Sequence, residues 1–252
     1  MATWYNTFFF GIYPYIALAV MIAGSIIRYD REPYSWRSGS SQMLRKKQLF
    51  WGSNLFHFGI LFLFFGHLVG LLTPHWGYSW AFDASVKQLV AVIAGGIAGV
   101  VCFVGLTLLL HRRLTDPRIR STSTTMDIAI LVILWVQLSL GLLTLPFSLS
   151  HSDGGTMMTL AEWAQRILTF RGDAAILVAG VDWPYQVHII LGLTIFLLFP
   201  FSRLVHIWSV PVRYVWRPGY QVVRSAGADW RVPGPVGRPR IEARAEPMEP
   251  AE

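Results

Sequence analysis

Four histidines lie inside long apolar runs: His57 and His67 in "SNLFHFGILFLFFGHLVGLLTPHW", His188 and His206 in "YQVHIILGLTIFLLFPFSRLVHIW". An imidazole in such surroundings can hydrogen-bond across helices, pass a proton along a relay, or give a ring nitrogen to a metal. A single one would be unremarkable as a packing group. Two runs with two histidines each, from distant parts of the chain, call for chemistry. Proton relays in membranes usually enlist Asp or Glu as well, and no carboxylate lies well inside an apolar run here. Metal ligation therefore becomes the leading use.

The elements that must position these rings follow from the apolar blocks. Residues 7–27, 49–72, 88–110, 127–145 and 185–208 each approach or exceed the roughly 20 residues that span a bilayer as a helix. The sequence has 252 residues, 54% hydrophobic and 14% charged, a balance foreign to soluble domains. The blocks are apolar all round, without the alternation of barrel strands, so an all-α bundle of five transmembrane helices is expected. The N-terminal run has no basic residue before Arg28 and no clear cleavage site, so it is read as a retained helix rather than a signal peptide. Cys102 is the only cysteine, which excludes an internal disulfide and a CxxC metal site.

The net charge of +7 lies between the blocks, not on a nucleic-acid face. Connection 28–48 carries six Lys or Arg, connection 111–126 four, and the tail beyond Trp208 seven. Connection 73–87 has only Lys87, and 146–184 only Arg166 and Arg171. The positive-inside rule then puts the N-terminus outside and the C-terminus in the cytoplasm. The membrane unit is expected over 1–210, followed by a Pro/Arg-rich tail, 211–252, that is either disordered or a docking arm. Within 146–184, "TLAEWAQRILTF" reads as an amphipathic helix lying at the outer interface. Arg112 and Arg113 read as topology determinants. His75, His111 and His151 read as loop or interface residues.

Antiparallel orientation pairs the histidines by depth: His67 with His188 nearer the outside, His57 with His206 nearer the cytoplasm. Two imidazoles from facing helices can grip a flat macrocycle, and two axial histidines leave haem iron no open position. Such a site moves electrons. One geometric tension remains. His57 and His67 are about 15 Å apart along a helix, whereas His188 and His206 are about 27 Å apart, five full turns on one face. Pro200 is positioned to kink the fifth helix between its ligands. Gly59, Gly66, Gly70 and Gly192 either leave room for a porphyrin or serve close helix packing. Arg203 either pairs with a haem propionate or snorkels to the inner surface.

The peptides "FFFGIYPYIA", "SSQML", "SNLFHFGIL", "GHLVGLLTPHW", "GLLTLPFS" and "FPFSRLVHIWSVP" resemble the gamma subunit of bacterial membrane-bound respiratory nitrate reductase, over most of residues 8–215. The resemblance implies a dihaem cytochrome b in the bacterial cytoplasmic (inner) membrane, with two haem b. It implies the same pairing, His67/His188 for the distal haem and His57/His206 for the proximal one. It also implies a quinol site at Gly66 and Lys87, and electron delivery to an iron–sulfur beta subunit and a molybdenum alpha subunit that reduces nitrate. The tail departs from the family, being longer and richer in proline after about residue 220. The alternatives are a dihaem subunit of a sulfite- or heterodisulfide-reducing complex, and a haem-free anchor or transporter. The long shared peptides favour nitrate, and the absence of an inverted repeat argues against transport.

Overall fold

The structure is a computed structural model that describes residues 3–36, 44, 46–151 and 153–209; the expected tail, 211–252, lies outside them. Among the described residues all regular structure is helical. Five segments are long and apolar enough to cross a membrane: Trp4–Arg31 (α1), Lys46–Leu72 (α2), Ala84–Thr115 (α3), Thr125–Ser150 (here α5) and Trp183–Phe201, whose α-helical part is Trp183–Leu198 (α8). Shorter helices fill the connections: Pro117–Ser121 (α4), Gly155–Leu168 (α6) and Ala174–Val178 (α7). The five expected blocks thus all form helices. Each begins a few residues before its apolar run.

Local chemistry sets those ends. Asp116 caps α4, its Oδ1 accepting from the N–H groups of Arg118 and Ile119 at 2.9 and 3.3 Å, with Pro117 at the first position. Thr124 and Asp127 form a reciprocal capping box at the start of α5. Gly154, at the start of α6, has φ +83°, and a Cβ there would come within 2.7 Å of the Ala84 carbonyl carbon. Only glycine fits this turn.

α2 packs on α3, α3 on α5, α5 on α8 and α8 on α1. The two histidine-bearing helices, α2 and α8, are therefore joined through α3 and α5 rather than by extensive packing on each other. The α2–α3 contact is made by small residues. A Cβ on Gly105 would come 2.3 Å from the Phe56 nitrogen, and one on Gly59 would come 2.8 Å from the Cys102 nitrogen. Close backbone approach of this kind is a main source of helix association in lipid.

α1 is not regular throughout. Phe8–Ile12 winds as a π-helical turn, and Pro14 cannot supply the N–H that the Phe10 carbonyl would receive in an α-helix. The Trp163 indole donates to that carbonyl instead, at 2.9 Å. The expected amphipathic helix over 159–170 is thus present, with its apolar stripe against protein. Trp163 and Ile167 of α6 are buried with Phe10, Ala174 and Val178, and Ala161 is buried too, so much of its apolar stripe faces protein. Helix α6 starts earlier than expected and ends at Leu168, because the chain turns at Phe170 with φ 59°.

The fifth span also departs from a straight helix. α8 stops at Leu198, Phe199–Phe201 forms a 3₁₀ turn containing Pro200, Ser202 is extended, and Arg203–Ser209 is again 3₁₀. The five-turn argument that put His188 and His206 on one face of one helix does not hold, since the helix is interrupted between them.

Candidate functional site

His67 and His188 come together. Their ring centroids are 6.2 Å apart and the rings are inclined by 32°. His57 lies on α2, and His206, its expected partner by depth, on the 3₁₀ segment Arg203–Ser209. Each ring is oriented by a backbone carbonyl. His57 Nδ1 meets the Ser53 oxygen at 2.7 Å, His67 Nδ1 the Leu63 oxygen at 2.7 Å, His188 Nδ1 the Gln137 oxygen at 3.1 Å, and His206 Nδ1 the Arg203 oxygen at 2.6 Å. A carbonyl oxygen only accepts, so each Nδ1 donates the proton and Nε2 keeps its lone pair. Backbone carbonyls holding Nδ1–H are the usual second partners of metal-binding imidazoles, and they raise ligand basicity.

The spacing can be tested against the expected group. Metal–imidazole bonds of about 2.0–2.1 Å, with about 1.1 Å from nitrogen to ring centre, put two opposed rings about 6.3 Å apart. The observed distance suits a metal held axially between His67 and His188. No three His, Cys, Asp or Glu side chains gather as metal ligands among the described residues. A metal there would take its remaining ligands from a macrocycle. The residues fit a haem.

Two residues that the sequence reading passed over shape the His67–His188 group. The Gln137 amide donates to the His188 carbonyl at 3.0 Å and lies 3.4 Å from His188 Nε2. Gly141, one turn further along α5, lies against the His188 ring. A polar amide and a glycine four residues apart in "LWVQLSLGLL" were the available signal. The glycines that were expected to leave room divide by role. Gly59 serves packing, and Gly192 lies against the Gln137 amide, while a Cβ on Gly66 or Gly70 would meet nothing within 4 Å.

Lys87 lies at the start of α3. Its ammonium donates to the Gly70 carbonyl at 3.2 Å and sits 4.0 Å from the centre of the Tyr78 ring. Gln165 of α6 donates to the next carbonyl, Leu71, at 2.9 Å. The C-terminal end of α2, just beyond His67, is thus capped by two side chains from other elements. Arg203 approaches Asp127 at 3.9 Å, and Arg113 approaches the same carboxylate at 3.8 Å. Arg112 and Arg113 are buried, bonded to the Leu44 carbonyl and to Ser123 Oγ, so they fasten the end of α3 as well as carrying charge.

Residues 6–226 match the family model described as nitrate reductase gamma subunit. The chain belongs to the nitrate reductase gamma subunit family. It is 55% identical over 220 residues to the respiratory nitrate reductase 1 gamma chain of Escherichia coli (strain K12), covering 87% of this chain and 97% of that one. It is 53% identical over 225 residues to the respiratory nitrate reductase 2 gamma chain of the same organism, covering 89% and 99%. The nitrate reductase gamma chain of Bacillus subtilis (strain 168) is 37% identical over 216 residues, covering 85% and 96%. All four intramembrane histidines, Gly66 and Lys87 fall within the family match. As a nitrate reductase gamma-family chain with five apolar helices, the protein is a multi-pass membrane component of an oxidoreductase complex that has other subunits.

Proposed function

We propose that this gamma-family chain is the quinol-oxidising cytochrome b subunit of a respiratory nitrate reductase in the bacterial cytoplasmic membrane, N-terminus outside and C-terminus inside. The observation that carries the reading is the opposition of His67 and His188 at 6.2 Å, with Nδ1 of each committed to a backbone carbonyl. His67 and His188 would hold the distal haem b, and His57 and His206 the proximal one. Haem held by two histidines would supply one-electron transfer.

The chain's own residues supply the rest. Lys87 stands at the end of α2 beyond His67, fixed by Gly70 and Tyr78. An ammonium has three protons, so after bonding Gly70 it can still donate to a quinol oxygen and stabilise negative charge as the quinol loses its protons. Gly66, with open space at its Cα, admits the quinol ring beside His67. Protons leave at the outer face and electrons pass inward to the iron–sulfur beta subunit and then to the molybdenum alpha subunit. Each charge crossing a potential of 100 mV corresponds to about 2.3 kcal/mol. Arg203, at the inner end, is the residue available for a propionate, sharing its charge with Asp127.

The deciding experiment is purification of the membrane complex, identification of its partner subunits, and optical redox titration. Two low-spin haems reduced by quinol, with alpha and beta chains co-purifying, are expected. A chain isolated with no haem, or with one, overturns the reading.

A further inference from the structure

Where the fifth span is interrupted, a side chain of the first span donates to two of its carbonyl groups. Pro200 has no N–H, and Ser202 is extended (φ −113°, ψ 178°), so the hydrogen-bond ladder of α8 does not pass through. Arg28, in the last turn of α1, places Nη1 2.7 Å from the Pro200 oxygen and 2.8 Å from the Ser202 oxygen. Its Nε donates to Ser35 Oγ at 3.0 Å and its Nη2 to the Ser35 oxygen at 2.9 Å. Three guanidinium nitrogens are thus bonded at once. One turn earlier on α1, Gly24 lies directly on the proline, where a Cβ would come 2.8 Å from Pro200 Cγ. At the far end of the same segment, the Trp36 indole bonds Ser209 Oγ.

The segment between these two anchors, Arg203–Ser209, carries His206. A continuous helix would inherit the orientation of His206 from α8. An interrupted one takes it from whatever fixes the break. We infer that Arg28 is a positioning residue for His206: by holding the Pro200 and Ser202 carbonyls, it presents the inner histidine to His57 independently of His188 on the same span. The inference rests on the two-histidine reading proposed above. It also gives Arg28 a task beyond its contribution to the positive-inside charge. Lysine cannot take over this task, because a single ammonium on a flexible stem does not reproduce a planar fork that reaches Pro200, Ser202 and both Ser35 oxygens.

The test uses the complete membrane complex with Arg28→Lys, Arg28→Gln and Ser35→Ala, each followed by optical redox titration and by electron paramagnetic resonance of the low-spin haems. Arg28→Lys keeps the topological charge. It should nevertheless shift the midpoint and the resonance signal of the inner haem while the outer haem stays at wild-type values. Arg28→Gln should give the larger shift or loss of the inner haem alone, and Ser35→Ala a smaller shift in the same signal. Unchanged inner signals in Arg28→Lys and Arg28→Gln overturn the inference, and so does parallel loss of both haems. A readout that needs no haem accompanies these: backbone amide exchange over 203–209 should rise at least tenfold in Arg28→Gln, with 185–198 unchanged. Unchanged exchange there also overturns the inference. If the wild-type complex lacks two haems, the two-histidine reading fails instead, and the exchange experiment still decides the role of Arg28.

Discussion

Gly141 lies against the His188 imidazole so closely that a Cβ on it would come 3.0 Å from Cε1. The ring has no slack on that side, because its Nδ1 is bonded to the Gln137 oxygen of the same helix at 3.1 Å. Gly141→Ala should therefore shift the outer haem by displacing its ligand, and Gly141→Leu should remove it. The inner haem should persist in both variants. Optical titration of the two haems checks this, and an outer haem of wild-type potential in Gly141→Leu would show the contact to be irrelevant.

Histidine losses should act in pairs. Replacing His67 or His188 by alanine removes the outer haem, whereas replacing His57 or His206 removes the inner one. The basis is the 6.2 Å approach of His67 to His188 and the depth matching of His57 with His206 on antiparallel spans. Haem content and spectra of the four variants test it. Loss of the same haem in the His57 and His67 variants would refute the pairing.

Lys87→Ala should retain both haems yet slow their reduction by quinol, while reduction by a small chemical reductant is unaffected. The variant also forfeits the cap on Gly70, which contributes about 0.5–1.5 kcal/mol as one hydrogen bond. A modest loss of stability is thus expected. Stopped-flow reduction separates the two effects: a normal quinol rate with lowered stability would leave Lys87 as a cap alone.

Asp127 serves a capping box and faces both Arg113 and Arg203. Thr124→Ala removes only the cap and should cost about 1 kcal/mol. Asp127→Ala keeps the Thr124 cap but loses the reciprocal bond from the Thr124 N–H to its carboxylate, and it leaves two largely buried guanidinium groups without this carboxylate, so it should cost more, about 2–4 kcal/mol. Thermal unfolding of the complex in detergent checks the order. Equal midpoints for the two variants would show that the ion pairs carry no weight.

Orientation is tested by reporter fusions after Lys47 and after Asp153, which should report cytoplasmic and external locations. The reason is the concentration of Lys and Arg in connections 28–48 and 111–126. The same location at both points would contradict the three spans that lie between them.

The five helices were legible because bilayer thickness and backbone satisfaction leave a long apolar run only one regular form. The histidines drew attention for a related reason: an imidazole within such a run stands out against its neighbours, and spans that alternate in direction rank it by depth. Depth is a one-dimensional quantity that composition can carry. Rotation about a helix axis and the course of an interrupted helix are not. Pro200 signalled a disturbance, but its outcome, a 3₁₀ segment held by Arg28 and Trp36, depends on groups some 170 residues away in sequence that only folding brings together. The same holds for Gln137 and Gly141, whose meaning comes from the His188 ring on another helix. It also holds for α6, whose apolar stripe could have met lipid but met Phe10 and Val178. Sequence alone determined which segments are long and apolar enough to cross a membrane and which polar side chains lie within them, because those follow from transfer energies of single residues. Tertiary structure decided how each imidazole is turned and what fastens it, because hydrogen bonds and close packing depend on distances between distant parts of the chain.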